Sequence, residues 1–216
     1  MTFSKDIQRH FDKRAANYDN PLTVFVGERE LRAIRKFIPA GSDVLDYGCG
    51  TGRTTLDLLH RGCTVTAYDL SQEMMAIAAQ RAARFGFSPE LTADAQKLKG
   101  RVWPVVTCIG VLDYYRDPLP LLSELASYLL PHGKLIVTYP NAVSPLGWFY
   151  ALYSRFRFKV ILHTPGFTRL AASRAGLLVR SIHYAFPAVP LLGHTIVLEM
   201  FKIGVRNKIQ QAVRMP

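Results

Sequence analysis

Cysteine is scarce in this chain, and its spacing excludes two classes of protein. The 216 residues include three cysteines, Cys49, Cys63 and Cys108, and no Cys-x-x-Cys pair. An odd number of well-separated thiols does not make a disulfide framework, and three are too few for a thiolate zinc site. The sequence predicts neither a disulfide framework nor a bound metal.

Long apolar runs are also missing. The N-terminus, MTFSKDIQRHFDKR, is polar from its first residues and has no apolar signal core. The most apolar stretch, residues 186–203, is interrupted by prolines, a glycine and charged side chains, so it does not read as a membrane-spanning helix. A cytoplasmic location is the expectation.

Acidic residues are nearly absent from the last third of the chain. Residues 1–140 contain 17 Lys and Arg against 15 Asp and Glu, whereas residues 141–216 contain 10 against a single acid, Glu199. Most of the net charge of +11 therefore lies in residues 141–216. Such asymmetry attracts nucleic acid, anionic lipid or an acidic substrate, although basic side chains also keep an apolar region soluble.

Short apolar strands alternate with helical segments through the middle of the chain. Strands are predicted at residues 43–47, 63–68, 90–92, 102–109 and 134–139, and helices at residues 53–60, 73–84 and 118–130. A helix over 165–175 and two strands, 177–184 and 195–203, follow. The alternation indicates a parallel sheet, and the short link between the last two strands predicts an antiparallel hairpin at one edge.

The predicted fold class is α/β: a Rossmann-like, doubly wound, mostly parallel seven-stranded sheet with an antiparallel edge strand, in three αβα layers. We expect a single domain over residues 1–216. Residues 1–38 form its N-terminal helical cap, and an irregular aromatic segment spans residues 140–163.

A turn with three glycines follows the first strand directly and leads into a helix. Gly48, Gly50 and Gly52 leave the backbone bare, which lets a ligand approach the main chain at the carboxyl end of the sheet. Asp69 ends the next strand, 17 residues beyond Gly52, where a carboxylate can accept hydrogen bonds from both ribose hydroxyls of a nucleoside.

The spacing of the glycines excludes two common nucleotide sites. A dinucleotide fingerprint, G-x-G-x-x-G, needs a glycine where this chain has Arg53. No GxxxxGK[ST] segment is present, so a phosphate-binding P-loop is excluded as well.

Several segments resemble class I S-adenosylmethionine-dependent methyltransferases of the small-molecule type. VLDYGCGTG (44–52) resembles the first motif of that family. FDKRAANYD (11–19) resembles its cap helix, AYDLSQEMM (67–75) its ribose motif, ADAQKL (93–98) its adenine motif, and CIGVLDYYRDP (108–118) its motif after strand 4. The resemblance implies a methyltransferase that uses S-adenosyl-L-methionine and releases S-adenosyl-L-homocysteine.

Carried over by position, the resemblance implies a set of cofactor contacts. Under the methionine part and the ribose would lie the turn residues Gly48, Cys49, Gly50 and Gly52. Asp46 would orient this turn or reach the cofactor amino group through water, and Asp69 would bind the ribose. The other expected contacts are Leu70 and Met74 near the adenine, Asp94 and Ala95 at the adenine edge, Ile109 beside the cofactor and Tyr18 over its methionine end.

The sequence departs from the family where many relatives carry a histidine after strand 4. That position is Tyr114 here, so a proton relay through histidine is not expected there. A base is needed only when the acceptor must lose a proton. Each candidate can also be explained as a cap, a pocket wall or a core residue; the candidates are Asp113, Tyr114, Tyr139 and His163.

Residues 141–163 are expected to form the acceptor site. They are rich in aromatic side chains, and Arg155, Arg157 and Lys159 alternate with the last of them. Such a segment suits a lid over a small hydrophobic or lipid-like acceptor, docked on an anionic membrane surface together with the basic last third of the chain. An ordinary amphipathic lid over the core explains the same pattern.

Two other functions fit parts of the sequence. Interleaved basic and aromatic residues can bind nucleic acid, so an RNA or protein methyltransferase is one alternative. The chain lacks the [DNS]PP[YFW]-like motif of amino-methylating nucleic-acid enzymes and the Pro-Cys pair of cytosine C5 enzymes, which favours the small-molecule acceptor. A cofactor-binding protein without catalysis is the second alternative.

Overall fold

The computed structural model describes residues 2–19, 21–154, 160–185, 187 and 192–203. Seven strands form one sheet: β1 (Asp43–Tyr47), β2 (Thr64–Tyr68), β3 (Glu90–Thr92), β4 (Trp103–Ile109), β5 (Leu129–Pro140), β6 (Leu177–Ala185) and β7 (Thr195–Lys202). Their order across the sheet is β3-β2-β1-β4-β5-β7-β6.

The directions of the strands confirm the predicted fold class. Neighbouring strands from β3 to β5 pair in parallel. β7 runs antiparallel to both β5 and β6, and β6 forms the edge of the sheet. The direction in which successive strands are added to the sheet changes between β1 and β4. This change brings the carboxyl ends of β1, β2 and β4 together at the crevice where open α/β sheets bind ligands.

Seven α-helices accompany the sheet in the described part of the chain: α1 (Thr2–Arg14), α2 (Pro21–Arg35), α3 (Arg53–His60), α4 (Gln72–Arg84), α5 (Leu119–Ser127), α6 (Pro145–Ser154) and α7 (Pro165–Arg174). The first two lie in the predicted cap. α4 begins at Gln72, one residue before the predicted start, and the hydroxyl of Ser71 caps it by accepting the amide of Met74 at 3.2 Å.

Two apolar layers cover the two faces of the sheet. One contains α2, α3 and α4, with Ile34 and Leu58 packed on Val44. The other contains α5 and α7, with Leu122 and Ala172 in the same layer as β-strand residues such as Leu45 and Val137. Val44 and Leu45 face opposite layers because side chains alternate along a strand. The three-layer arrangement is therefore confirmed.

The predicted boundary between the fifth helix and the fifth strand is wrong. The helix expected over 118–130 ends at Ser127, and β5 begins at Leu129 instead of Lys134. Leu129 pairs with Trp103 at the start of β4, and the ladder resumes at Lys134 after a register shift. His132 adopts a φ of 61° in the turn between the two halves of β5. The sequence reads as a helix end there because Pro131 and Gly133 are typical of turns.

The segment expected to be irregular, 140–163, contains a helix. α6 spans ten of its residues, with Pro145 in the first turn, where its missing amide hydrogen costs nothing. Ser144 precedes the helix, and its hydroxyl accepts the amide of Leu146 at 3.2 Å. The residues predicted to alternate basic and aromatic character, 155–159, lie outside the described part of the chain. None of the described helices is both long and apolar enough to cross a bilayer.

Candidate active site

The glycine turn adopts a conformation that only glycine takes without strain. Gly48, Gly50 and Gly52 have φ values of 76°, 55° and 85°. The amides of Gly48 and Cys49 both donate to the carbonyl of Tyr68, at 2.7 and 3.0 Å. The turn after β1 is therefore fixed against the end of β2.

The turn offers bare backbone to a ligand. A Cβ atom on Gly48 would lie 2.3 Å from Cγ2 of Val111, so no side chain fits there. A Cβ on Gly50 would meet no atom within 4 Å, which leaves that side of the backbone open. Leu70 and Met74 provide apolar walls beside it. Bare backbone, apolar walls and a carboxylate fit the sugar and base of a nucleoside.

Asp69 is the carboxylate that completes this cradle. Its Oδ2 accepts the amide of Gly50 at 2.8 Å, and its Oδ1 accepts the amide of Ser71 at 2.9 Å. Burial raises the pKa of Asp69, and these two backbone hydrogen bonds oppose the rise. Each carboxylate oxygen has a second lone pair, so Asp69 can still accept two ribose hydroxyls.

Asp46 lies beneath the turn rather than in the ligand crevice. Its carboxylate oxygens accept the hydroxyls of Thr55 and Thr107 at 2.7 and 2.8 Å, and the residue is buried. Burial raises the pKa of Asp46 to about 6, although both hydrogen bonds lower it. These bonds join β1 to α3 and β4 beneath the turn, and the role of Asp46 in orienting the turn stays a prediction.

The N-terminal cap closes over the crevice through the segment that follows α1. Asp19 accepts the hydroxyl of Thr51 at 2.9 Å and forms an ion pair with Arg81 at 2.6 Å. This anchor positions the adjacent Tyr18 above the turn. Burial raises the pKa of the Tyr18 hydroxyl to about 12, so the phenol stays protonated at neutral pH.

Two adjoining cavities open at the carboxyl ends of the strands. The first has a volume of about 70 Å³ and lies against Gly48, Gly50 and Asp69. The second has a volume of about 460 Å³ and extends from the cap to α6. The two share the lining residues Phe11, Tyr18, Ile109, Gly110 and Tyr114.

Most of the predicted cofactor contacts line the first cavity: Tyr18, Gly48, Gly50, Asp69, Leu70, Met74 and Ile109. Asp46, Cys49, Gly52, Asp94 and Ala95 line neither cavity. The Cys49 thiol faces Met75, with the two sulfur atoms 3.5 Å apart, and Asp94 caps a short 3-10 helix by accepting the amide of Gln96. The roles predicted for all these residues stay predictions.

The four candidate bases separate into two groups. Asp113 and Tyr114 line the second cavity. Tyr139 is fully buried with its ring 6.1 Å from that of His163, and His163 hydrogen-bonds through Nε2 to the Tyr115 carbonyl at 2.9 Å. The structure therefore does not bring Tyr139 or His163 to either cavity.

Several cavity residues carry no clear signal in the sequence. Glu30 lies within α2, and His194 lies in the link before β7, yet both line the second cavity. The Arg53 side chain lies directly against Gly27 of α2 and lines the same cavity. A Cβ atom on Gly27 would lie only 1.9 Å from Cζ of Arg53. Tyr150 projects into the cavity from α6. Only the tertiary structure brings these four side chains together.

Replacing Asp69 with alanine should weaken the binding of S-adenosylhomocysteine at least about tenfold, because charge-assisted hydrogen bonds to the ribose are lost. Titration calorimetry measures the affinity, and circular dichroism checks the fold. Asp43→Asn, at the opposite end of β1 and exposed, is the matched control. Equal affinity in wild type and Asp69→Ala would contradict the assignment.

Comparison with known proteins identifies the family. A family model described as a methyltransferase domain matches residues 23–188. The chain is 32% identical over 107 residues to a ubiquinone biosynthesis O-methyltransferase of Xanthomonas axonopodis pv. citri, covering 48% of this chain and 45% of that protein. The matched region thus spans less than half of that relative.

Two further proteins are similar over more of their length. A demethylmenaquinone methyltransferase of Tropheryma whipplei is 30% identical over 161 residues, covering 70% of this chain and 66% of that protein. The crystal structure of the Burkholderia thailandensis 1,6-didemethyltoxoflavin-N1-methyltransferase superposes with a TM-score of 0.75 at 19% identity, covering 94% and 90% of the two chains. That structure contains S-adenosylhomocysteine and has the same fold.

The sequence motifs, the cradle around Gly50 and Asp69, and the matched family model agree. The chain belongs to the methyltransferase domain family.

Proposed function

We propose that this enzyme methylates a small, hydrophobic, aromatic acceptor bound in the second cavity. The main support for this proposal is that the two cavities adjoin and share lining residues. Tyr18, Ile109 and Tyr114 line both, so a molecule in the second cavity contacts a cofactor in the first cavity. Aromatic rings form much of this wall. Phe11 and Tyr114 meet edge to face at 5.3 Å, which suits a flat ring.

The names of the relatives support this substrate class. One is a ubiquinone biosynthesis enzyme and another a demethylmenaquinone methyltransferase, and both names refer to quinones. When bound, S-adenosylmethionine supplies a methyl group activated by the positive charge on sulfur. The protein contributes by holding the acceptor in line with that methyl group and by excluding water with the cap.

Asp113 is the residue proposed to receive a proton from the acceptor. It is 3% exposed, and its Oδ1 has no hydrogen-bond partner in the described structure. Burial raises the pKa of Asp113 to about 7, and the negative charge of Glu30 adds to the rise. A carboxylate with that pKa is half ionised at neutral pH, which suits a general base for a hydroxyl acceptor.

The rate of methyl transfer should rise with pH through about 7 and then level off, because only ionised Asp113 accepts a proton. Asp113→Asn should lower kcat by about 10²- to 10⁴-fold for a hydroxyl acceptor and remove this pH dependence. Steady-state rates from pH 5 to 9 test this. Asp43→Asn should retain the wild-type profile; an Asp113→Asn enzyme that also retained it would exclude Asp113 as the base.

We further propose that α6 docks on an anionic bilayer from which the acceptor enters. Its apolar face, defined as Leu146, Trp148, Phe149 and Leu152, has side chains that are 38–69% exposed. Tyr150 and Ser154 of the same helix line the second cavity. The helix therefore borders the acceptor cavity on one side and solvent on the other.

Neighbouring contacts extend the apolar face toward α7. Trp148 donates from Nε1 to the Ala142 carbonyl at 2.8 Å, and the Ala142 amide donates to the carbonyl of His163 at 3.2 Å. Phe167, 47% exposed, stacks on the His163 ring. In sequence, residues 141–216 contain ten basic residues and one acidic residue, a composition that suits contact with anionic lipid.

Replacing Trp148 and Phe149 with serine should abolish flotation with vesicles that contain anionic lipid, because the inserted apolar area is lost. The matched control is Phe85→Ser, which removes an equally exposed aromatic side chain at the end of α4. Unchanged flotation of the double variant would contradict docking through α6.

Transfer of a radiolabelled methyl group from S-adenosylmethionine to a cell extract tests the function as a whole. The label should enter the fraction extracted by organic solvent, and Asp69→Ala should not transfer it. Label in RNA or protein would overturn the small-molecule acceptor. No transfer to any fraction would favour a binding protein without catalysis.

A further inference from the structure

His194 lines the second cavity and has a buried, unsatisfied ring nitrogen. The residue precedes β7 and is 7% exposed, and its Nε2 has no hydrogen-bond partner in the described structure. Its other ring nitrogen, Nδ1, lies 2.9 Å from Oγ1 of Thr195. The Tyr150 ring packs against the imidazole at 4.9 Å, almost perpendicular to it. The orientation of His194 is therefore fixed on two sides.

The contacts of Thr195 identify which nitrogen of His194 carries the proton. The Thr195 hydroxyl donates its only proton to Oε1 of Glu30 at 3.3 Å. Burial raises the pKa of Glu30, and the positive charge of Arg53 and hydrogen bonds from Thr195 and Thr138 oppose this rise. Because the hydroxyl oxygen can then only accept from Nδ1, the proton lies on Nδ1. Nε2 is left as a bare, buried acceptor on a residue that lines the cavity.

The surroundings of His194 keep its ring neutral. Burial lowers the pKa of His194 to about 4, so the imidazole carries no charge at neutral pH. The other ionisable groups that line the second cavity are His10, Arg14, Tyr18, Glu30, Arg53, Asp113, Tyr114, Tyr150 and Tyr153. A neutral Nε2 is a weak base but a good hydrogen-bond acceptor, and leaving it unpaired in a buried site is costly.

Two residues that line the second cavity therefore each have a buried acceptor atom without a partner among the described residues: Nε2 of His194 and Oδ1 of Asp113. One hydroxyl group has a single proton and cannot satisfy both. We propose that His194 is a specificity-determining residue that binds a second donor group on the methyl acceptor. The acceptor would then be an aromatic ring with two hydroxyl groups, or with one hydroxyl and one amino group.

This inference rests on the proposed function and assigns separate tasks to the two residues. Asp113 takes the proton of the hydroxyl whose oxygen forms the new bond to the methyl carbon as the bond from that carbon to sulfur breaks. His194 keeps no proton and only accepts a hydrogen bond from the second group. Thr195 and Glu30 are positioning residues that hold the required tautomer.

Binding of simple phenols tests the proposal. The full chain saturated with S-adenosylhomocysteine is titrated with phenol and with catechol, resorcinol and hydroquinone. At least one of the three dihydroxybenzenes should bind about tenfold or more tightly than phenol, because only these can satisfy Nε2. His194→Phe should bind S-adenosylhomocysteine normally but lose this preference. The control variant His132→Asn, at an exposed position in β5, should retain the preference for dihydroxybenzenes.

A measurement on the wild-type protein tests the proposal even if the variant fails to fold. Nitrogen-15 NMR of labelled histidine should show His194 protonated on Nδ1, with the Nε2 resonance shifting when the preferred dihydroxybenzene is added. Glu30→Gln should change the tautomer balance. Protonation on Nε2, equal binding of all four phenols, or a preference that survives in His194→Phe would overturn the proposal. Failure of the wild-type protein to bind S-adenosylhomocysteine would instead overturn the proposed function itself.

Discussion

The hydrogen bond from the Gly50 amide to the Asp69 carboxylate connects the two parts of the cofactor site. Gly50 belongs to the turn after β1, and Asp69 follows β2, so the bond fixes the distance between the bare backbone and the carboxylate that we propose binds the ribose. It also offsets part of the cost of burying that carboxylate. A turn in any other conformation would leave both the amide and the acid without this partner.

The cap uses this fixed turn as its own support. Asp19 bonds Thr51 within the turn, and that contact positions Tyr18 where the two cavities meet. The two cavities thus share aromatic side chains that belong to the cap and to the segment after β4. The cap and the segment after β4 lie close together because both are at the carboxyl ends of the strands.

The sheet and the cofactor turn could be predicted from the sequence because their signals are local. Glycine spacing, the Ser71 cap and the alternation of strand and helix all act within a few residues. The boundary at Ser127 was wrong because Leu129 pairs with Trp103, a contact between separate strands that no local pattern reports. α6 was missed because its own side chains are apolar on most sides of the helix, so its sequence has little amphipathic periodicity.

The acceptor cavity was harder to predict than the cofactor site. Glu30, Arg53 and His194 come from α2, α3 and the start of β7, and each lies in an ordinary local context. Their chemistry depends on burial and on one another: Glu30 accepts from Thr195, which in turn fixes the His194 ring. Tyr139 and His163 show the reverse case, because both have suitable side chains but lie within packed structure.

A crystal structure of the full chain with S-adenosylhomocysteine tests the central claim most directly. The ribose hydroxyls should donate to Asp69, the nucleoside should lie against the backbone of Gly48 and Gly50, and the sulfur atom should face the second cavity past Tyr18. A nucleoside bound elsewhere, or a sulfur atom facing away from Asp113, would contradict it.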